Sequence, residues 1–335
     1  MKFLIAGFGS IGRRHFRNLL ALGERDILFY RTHQSTLPDE ELAGFAVETD
    51  LRVALAYKPD AVIIANPTAL HLDVAIPAAQ CGCHLMIEKP VSHSMAHLNE
   101  LEQAVQENGS KVLVGYHFRF HPGLKQVKML LDEDAIGEPL SARAHWGEYM
   151  PAWHPWEDYK MSYAARPELG GGVVLTLSHP LDYLRWLFGE IESLQAYTSQ
   201  KGLRLLVEDT AEITLHFVNG ALASIHLDYN QRPPAHTLEI IGTLGTLHWD
   251  NADGVVHLAR VGPDDKTGPW KEFPPPAGFE RNWMFLDELR HFRDVIHGGA
   301  DPICTLQDGI HALQLSLAAL SSSKQGREVK IIDEY

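Results

Sequence analysis

The fold of this chain is decided by the stretch Phe3-Leu4-Ile5-Ala6-Gly7-Phe8-Gly9-Ser10-Ile11-Gly12. A short apolar run leads into the pattern G-x-G-x-x-G, and a segment with helical periodicity follows over residues 13–22. The pattern alone is weak evidence, because turns made of small residues are common. Its position between a predicted strand and a predicted helix indicates a dinucleotide-binding βαβ unit. A tight turn that holds no ligand is the alternative.

The positions of this loop have distinct expected parts in holding a dinucleotide. Gly7 permits the tight turn, Gly9 lets the backbone approach the pyrophosphate, and Gly12 lets the helix pack against the strand. The amide groups at the start of the helix then face the phosphate charge. The cofactor contacts expected from the loop are therefore those of Gly7, Gly9, Ser10, Ile11 and Gly12.

The choice between NAD and NADP depends on the end of the second predicted strand. An Asp or Glu that binds the ribose is expected there, about 20 residues beyond the loop. The sequence instead has Phe29-Tyr30-Arg31-Thr32-His33, which contains no acid. A guanidinium can pair with a 2′-phosphate and stack on adenine, so Arg31 slightly favours NADP over NAD. The alternative is a solvated surface arginine.

The first part of the chain alternates short apolar runs with amphipathic segments. Predicted helices separate the strands expected at 2–6, 27–30, 61–65, 84–87 and 111–115. Such alternation is typical of an α/β fold with a doubly wound parallel sheet. We predict a dinucleotide-binding Rossmann domain over residues 1–120.

The remainder of the chain has a different pattern, in which β-branched and aromatic residues alternate with polar ones. This pattern predicts strands at 141–148, 192–198, 210–217, 221–228, 237–241 and 254–260. Asn219-Gly220 and Thr243-Leu244 each predict a hairpin turn between two strands. Helices over 280–296 and 306–322 and a strand at 328–332 close the chain. We predict an α+β domain over residues 121–335 with a large, mostly antiparallel, open-faced sheet.

Composition narrows the classes of partner. The 335 residues suit two domains, and the formal net charge of −14 argues against nucleic acid or an anionic membrane surface as a partner. No apolar run reaches the roughly 18 residues needed to span a bilayer. The N-terminus has no signal-peptide pattern and the three cysteines form no disulfide framework, so we expect a cytoplasmic protein.

Glu88-Lys89-Pro90 closes the apolar stretch 84–87. A residue at the carboxyl end of a parallel strand points into the crevice where open α/β sheets bind ligands. Partial burial and the positive charge of an oxidised nicotinamide ring in this crevice would both lower the pKa of a lysine. Lys89 can therefore exchange protons near neutral pH. The alternative is a solvated lysine at a strand end.

Taken in order, these segments resemble the glucose–fructose oxidoreductase / inositol dehydrogenase / rhizopine-catabolism (Gfo/Idh/MocA) family over essentially the whole chain. The carriers of the resemblance are the glycine loop, Ile64-Ala65-Asn66-Pro67-Thr68 with His71, Glu88-Lys89-Pro90, and Gly170-Gly171-Gly172 followed by His179-Pro180-Leu181-Asp182. The resemblance implies an NAD(P)-dependent oxidoreductase that moves a hydride between nicotinamide and a carbinol carbon of a sugar, sugar derivative or cyclitol. It also implies a homodimer or homotetramer that pairs through the open face of the second sheet.

The resemblance implies a catalytic pair, Lys89 and His179. Oxidation of an alcohol needs a base for the hydroxyl proton, which Lys89 supplies, while His179 orients the hydroxyl or relays the proton. Many relatives have an aspartate three or four residues before the histidine, where this chain has Leu175 and Thr176. Asp182 either joins the proton relay or lies on the buried side of its helix.

Further contacts follow from the same resemblance. Asn66, Pro67, Thr68 and His71 are expected along the nicotinamide ribose, and Glu88 is expected on the cofactor side of its strand. Arg119 either binds substrate or folds back onto a carboxylate. Trp153, Trp156 and Arg166 are expected in a loop over the substrate, since indole faces suit sugar rings and arginine suits anions. A loop anchored into the second domain by its aromatic residues is the alternative.

Metal binding is not expected from the sequence. Nineteen histidines include the i, i+4 pairs His93/His97 and His117/His121, but neither pair has an H-E-x-x-H glutamate or an evident third ligand. Two other functions stay open beside the dehydrogenase. One is a non-catalytic sensor that binds the cofactor and a sugar, and the other is a hydrolase or lyase that uses NAD for transient oxidation.

Overall fold

The structure, a computed structural model, describes residues 1–32, 40–262 and 266–331. The chain divides into two units by the proximity of its Cα atoms. The first unit comprises Met1–His117, Glu168–Gly170 and Glu280–Leu313. The second comprises Phe118–Pro167, Gly171–Phe279 and the described residues after Leu313.

The sheet of the first unit consists of parallel strands with apolar, buried sequences. The strands are β1 (Phe3–Ala6), β2 (Ile27–Tyr30), β3 (Ala46–Glu48), β4 (Ala61–Ile64), β5 (His84–Glu88) and β6 (Val112–Gly115). The helices between them are α1 (Ser10–Ala21), α2 (Leu51–Ala56), α3 (His71–Gln80) and α4 (Leu98–Asn108). The order β3-β2-β1-β4-β5-β6 confirms the predicted doubly wound sheet, and the strand order reverses between β1 and β4, where such sheets bind ligands.

The second unit contains a larger mixed sheet. Its elements are α5 (Pro122–Asp132), β7 (Pro139–Gly147), α6 (Val173–Thr176), α7 (His179–Phe188), β8 (Ile191–Ser199), β9 (Thr210–Phe217), β10 (Leu222–Asp228), β11 (Ala235–Gly242), β12 (Gly245–Asp250), β13 (Val256–Arg260) and β14 (Lys271–Phe273). Two helices, α8 (Asn282–Ile296) and α9 (Leu306–Gln325), and the strand β15 (Val329–Lys330) follow. The strand order is β14-β13-β12-β11-β7-β10-β9-β8-β15. Of these neighbours, β7 and β10 are parallel and the others are antiparallel, which confirms a mostly antiparallel sheet.

Both predicted hairpins are present. Asn219-Gly220 lies in the turn between β9 and β10, where Gly220 has φ +86°. The turn Thr243-Leu244 joins β11 to β12, with Gly242 paired opposite Gly245. The last predicted strand is found as β15, and its predicted end at residue 332 lies outside the described residues.

The two units differ from the two predicted residue ranges at Glu168–Gly170 and Glu280–Leu313, which the sequence assigns to the second domain and the structure assigns to the first unit. The buried side of α8 explains the placement of the second segment. Asn282 exchanges hydrogen bonds with Asn18 of α1, at 2.8 and 3.3 Å. At the start of α9, Gly309 lies so near β6 that a Cβ there would be 2.8 Å from the Val114 side chain. Amphipathic periodicity shows that a helix has an apolar face, but not which sheet receives it.

Among the helices of the described residues, none is both long and apolar enough to cross a membrane.

Candidate functional site

The glycine loop is shaped by close backbone contacts between β1 and β4. Gly7 has φ +95°, and a Cβ there would lie 2.6 Å from the Asn66 amide nitrogen. A Cβ on Gly12 would lie 2.2 Å from the Gly7 carbonyl oxygen. At Gly9, by contrast, a Cβ would meet no atom within 4 Å. Two glycines are therefore required for packing, and the third leaves open space beside the backbone, which suits the approach of a pyrophosphate.

The start of α1 provides an environment suited to phosphate. Gly9 is the N-cap residue, no side chain caps the helix, and the first turn, which begins with Ser10 and Ile11, contains no acid. The Arg13 guanidinium lies 4.2 Å from the centroid of the Phe8 ring and donates a hydrogen bond to Glu41. Because phosphate is stabilised by helix amides and nearby positive charge, the loop fits a dinucleotide.

Arg31 lies at the end of β2 with 5 % of its surface exposed. Its guanidinium carbon is 6.0 Å from the centroid of the same Phe8 ring. It is therefore a buried arginine beside the glycine loop and not a solvated one. Together, Arg13 and Arg31 place two positive charges around Phe8.

His71 joins the segments that follow β4 and β5. Its Nδ1 lies 2.9 Å from the Pro90 carbonyl oxygen, and its Nε2 lies 3.0 Å from the Asn66 carbonyl oxygen. Burial lowers the pKa of His71, so the ring is neutral near pH 7 and donates to one carbonyl at a time. Thr68 in the same segment is buried. The structure thus places Asn66, Pro67 and Thr68 beside the E-K-P segment.

Glu88 is the last residue of β5 and Lys89 is the first residue after it, and the two have different surroundings. The Glu88 carboxylate is buried and accepts a hydrogen bond from His15 Nε2 at 2.7 Å. Burial alone would raise the pKa of Glu88, but the His15 hydrogen bond and the Lys89 charge outweigh it and leave the pKa below its ordinary value. Lys89 is half-buried at the carboxyl edge of the sheet. Glu88 is therefore a buried, negatively charged carboxylate next to Lys89.

The first unit contains two further buried titratable groups, His117 and Glu288. The His117 ring stacks on Phe285 at 4.3 Å, and burial, with Arg281 nearby, holds the pKa of His117 well below its ordinary value. Glu288 on α8 is fully buried, and neither of its carboxyl oxygens has a hydrogen-bond partner among the described residues. Burial, followed by the Glu88 charge, raises the pKa of Glu288 well above its ordinary value, so this carboxyl is neutral.

His179 is the first residue of α7 in the second unit. It is buried, and its ring lies 4.9 Å from the Phe118 ring and 5.4 Å from the Trp146 ring, measured between centroids. The aromatic contacts hold the imidazole in a fixed orientation.

Asp182 lies one turn along α7 and pairs with Arg119. The guanidinium donates to both carboxylate oxygens, at 2.7 and 3.1 Å, and both side chains are buried. Of the alternatives left open for Arg119, the structure shows the one in which it folds back onto a carboxylate. Asp182 likewise lies on the buried side of its helix.

The Gly170-Gly171-Gly172 segment approaches a glutamate that sequence analysis missed. Gly172 has φ +113°, and a Cβ there would lie 2.3 Å from Glu208 Oε1. That oxygen accepts a hydrogen bond from the Val174 amide at 3.1 Å, in the first turn of α6. Burial raises the pKa of Glu208 to about 7. A carboxyl with this raised pKa therefore accepts a hydrogen bond from the backbone of α6, two residues before Thr176.

The aromatic segment is partly anchored and partly exposed. The Trp153 ring meets Tyr229 edge-on at 5.4 Å, whereas Trp156 has 61 % of its surface exposed. The Arg166 amide donates to the Tyr163 carbonyl at 3.0 Å. Trp153 therefore anchors the segment within the second unit, whereas the Trp156 side chain is exposed.

Comparison with known proteins identifies the chain. Residues 1–116 match the sequence model described as "Oxidoreductase family, NAD-binding Rossmann fold", and residues 124–248 match the "GFO/IDH/MocA C-terminal domain". The chain belongs to the Gfo/Idh/MocA family of oxidoreductases. The predicted resemblance is therefore confirmed over both parts of the chain.

Several members of the family are similar to this chain over nearly its whole length. It is 29% identical to the uncharacterized oxidoreductase YrbE of Bacillus subtilis, covering 98% of this chain and 95% of that protein. It is 26% identical to myo-inositol 2-dehydrogenase of Thermotoga maritima, covering 99% and 98%. A solved structure of levoglucosan dehydrogenase in complex with NADH superposes with a TM-score of 0.86 at 22% identity, covering 99% of each chain, which shows a shared fold.

Within this Gfo/Idh/MocA chain, the residues that sequence reasoning missed are Glu208, Glu288 and His15. Neither Glu208 nor Glu288 lies in a recognisable sequence motif. Glu208 lies in the loop before β9, and Glu288 lies in the middle of the amphipathic helix α8. Burial among residues that are distant in sequence raises the pKa of each carboxyl, and no local sequence pattern indicates such burial. His15, three residues after Gly12, could have been noticed from the helical spacing of α1, which directs it toward the sheet.

Proposed function

We propose that this protein is an NAD(P)-dependent dehydrogenase that transfers a hydride between nicotinamide and a carbinol carbon of a sugar, sugar derivative or cyclitol. The observation that carries the proposal is the arrangement along one sheet edge, where the glycine loop follows β1 and Lys89 follows β5, two strands away. Both the Thermotoga maritima relative and a scyllo-inositol 2-dehydrogenase (NAD(+)) of Bacillus subtilis, 27% identical, support this class of substrate.

Oxidation removes a proton from the hydroxyl and a hydride from the carbon that bears it. The nicotinamide, when bound, supplies the hydride acceptor. Lys89 takes the hydroxyl proton, and the fixed negative charge of Glu88 beside it stabilises the protonated lysine that results. His179 donates or accepts a hydrogen bond at the same hydroxyl, in an orientation fixed by the rings around it.

We assign Asp182 a positioning role in this scheme. Both of its oxygens accept hydrogen bonds from Arg119, and a carboxylate held in that way is a poor proton acceptor. The pair fixes the first turn of α7, which carries His179. Trp156 and Arg166 remain the proposed substrate contacts on the aromatic segment.

We also propose that the cofactor is NADP(H) in preference to NAD(H). The support is the pair of guanidinium groups of Arg13 and Arg31 around Phe8, which suit a 2′-phosphate. The test compares kcat/KM for NADP and NAD in wild type and Arg31→Ala, with the exposed Arg25→Ala as the control. A selective fall in kcat/KM for NADP in Arg31→Ala is expected. Equal losses for the two cofactors would contradict the proposal.

The test of the dehydrogenase itself is a panel of sugars, anhydrosugars and cyclitols followed by NAD(P)H absorbance. Wild type and Lys89→Ala are compared with Lys111→Ala, which removes an exposed lysine from the opposite edge of the same sheet. General-base catalysis contributes about 10²- to 10⁴-fold, so Lys89→Ala should lose that much kcat while Lys111→Ala stays active. Turnover by Lys89→Ala at the wild-type rate would refute the role of Lys89.

A second candidate is a lyase or hydratase that uses bound NAD for transient oxidation. It is favoured by 25% identity to a 2,7-anhydro-N-acetylneuraminate hydratase of Mediterraneibacter gnavus, covering 85% of this chain and 84% of that protein. Product formation from an anhydrosugar without net NAD(P)H, detected by mass spectrometry, would select this function over the dehydrogenase.

A further inference from the structure

A group of polar side chains lies on the sheet of the second unit, outside all the residues discussed above. β7 and β10 run parallel, and His145 is directly opposite His226 in their register. The two imidazole rings stack at 4.6 Å with 19° between their planes. Asp228, two residues beyond His226 on the same strand, projects from the same face of the sheet.

The ligand atoms of these three residues converge. One nitrogen of each histidine and one oxygen of Asp228 all lie within 4.8 Å of one another. His226 Nε2 is 3.0 Å from Asp228 Oδ2, and His145 Nε2 is 2.5 Å from Gln231 Oε1. A Cβ on Gly147 would lie 2.2 Å from both Asp228 Oδ2 and Gln231 Oε1. These two oxygens therefore face one small volume, which stays open because residue 147 is glycine.

The surroundings hold these atoms in place. Asp228 Oδ1 accepts hydrogen bonds from the amides of Asn230 and Gln231, both at 2.6 Å, which leaves Oδ2 directed toward His226. His226 Nδ1 lies 2.6 Å from Glu212 Oε1 on β9. A carboxylate bonded to the outer nitrogen of a histidine is the arrangement that orients histidines in metal sites.

We propose that His145, His226 and Asp228, with Gln231 as a fourth oxygen donor, bind a divalent zinc-type ion on this face of the sheet. Two imidazoles and a carboxylate are ligands that Zn²⁺ prefers, and four protein donors are typical of a structural site. In a tetrahedral site the ligand atoms are about 3.3 Å apart. Binding therefore requires the pairs now at 2.5 and 3.0 Å to separate slightly and the pairs that are up to 4.8 Å apart to approach by about 1.5 Å at most. The ion would link β7, β10 and the turn after β10.

A proton can satisfy the same groups. The Asp228 hydrogen bond, together with the one from Glu212, raises the pKa of His226 to about 9, so an imidazolium between two carboxylates is the competing state. The imidazolium accounts for His226, Asp228 and Glu212. His145 Nε2 can donate a hydrogen bond to Gln231 Oε1, so that contact alone does not decide between the two states. The metal is favoured by the convergence of the ligand atoms of His145, His226 and Asp228, all within 4.8 Å of one another.

The experiment titrates the full chain, first treated with EDTA and then dialysed, with ZnCl2 in an isothermal titration calorimeter. One equivalent per chain is expected to bind, and His145→Ala and Asp228→Asn are expected to abolish that binding. Glu212→Gln should weaken it by about 10- to 100-fold, because it removes only the outer partner. The matched control is His216→Ala, which removes a histidine beside Glu192 on the same face of the sheet.

Three results would overturn the proposal: no stoichiometric binding, binding that survives both ligand substitutions, or an equal loss in the control. Circular dichroism reports whether each variant is folded. If the ligand variants do not fold, the visible spectrum of the Co²⁺-loaded wild-type protein decides. Tetrahedral cobalt absorbs intensely and supports the site, whereas the weak spectrum of octahedral, hydrated cobalt refutes it.

Discussion

Glu208→Gln is expected to remove a pH dependence of stability that the folded protein creates by burying a carboxyl group. In the folded state the pKa of Glu208 is raised from its ordinary value of 4.5 to about 7, and burial of the carboxyl is the largest cause. Between about pH 4.5 and pH 7, Glu208 in the folded state retains a proton that Glu208 in the unfolded state has lost. Stability therefore falls as the pH rises from about 4.5 through 7, and the loss is complete above that range.

The magnitude follows from the size of the shift. One pKa unit corresponds to about 1.4 kcal/mol, so the full difference is about 3 kcal/mol. The carboxyl is partly exposed, and solvent screening reduces the expected effect to about 2 kcal/mol. In a unit of this size that amounts to a change in Tm of about 4–8 °C. Glutamine retains the oxygen that accepts the Val174 amide and carries no charge, so the variant lacks this penalty.

The assay is differential scanning calorimetry of wild type and Glu208→Gln at pH 5 and pH 8. The variant should gain Tm relative to wild type on going from pH 5 to pH 8. Glu239→Gln serves as the control, because Glu239 is half-exposed on β11 and pairs with an exposed arginine. A Tm difference that is the same at both pH values, or that has the opposite sign, would refute the reasoning.

Three further predictions concern the glycine loop, the buried ion pair of Arg119 and Asp182, and the buried carboxyl of Glu288. Gly7→Ala should destabilise the first unit by about 1–3 kcal/mol because of its φ and its contact with β4, whereas Gly9→Ala should leave Tm unchanged and weaken cofactor binding measured by calorimetry. Arg119→Ala should cost about 3–5 kcal/mol in urea denaturation, since it leaves Asp182 buried without its partner, and a cost below 1 kcal/mol would count against a buried ion pair. Glu288→Gln should raise Tm relative to wild type at pH 8 but not at pH 4, because its raised pKa means that stability is lost as the pH rises above the unfolded value; equal Tm differences would show that Glu288 is not held neutral.

Much of the first unit could be predicted because its signals are local. A tight turn between strand and helix requires glycine where the backbone approaches β4, so Gly7 and Gly12 record that packing in the sequence itself. The buried strands are short apolar runs, since both faces of a parallel sheet are covered. Hairpins of the second sheet are marked equally well, because their turns need the residues found at Asn219-Gly220.

The candidate site could be predicted only in part. Lys89 and His179 could be proposed from the sequence because they belong to short motifs in a fixed order. The partners of Glu88 and Asp182 could not be found in this way, since each contact joins residues distant in the chain. The placement of α8 failed for a related reason, because an apolar helix face is compatible with more than one sheet.

The sequence by itself determined the elements, the glycine loop and the family, because each depends on neighbours within a few residues or on the order of motifs. The tertiary structure decided which charges meet. It turned Glu88 toward His15, joined Arg119 to Asp182, and brought His145 and His226 together across parallel strands. It also left the Glu288 carboxyl without a hydrogen-bond partner among the residues that the structure describes. The physical reason is that burial and long-range pairing determine the protonation state of a side chain, and both are properties of the folded chain alone.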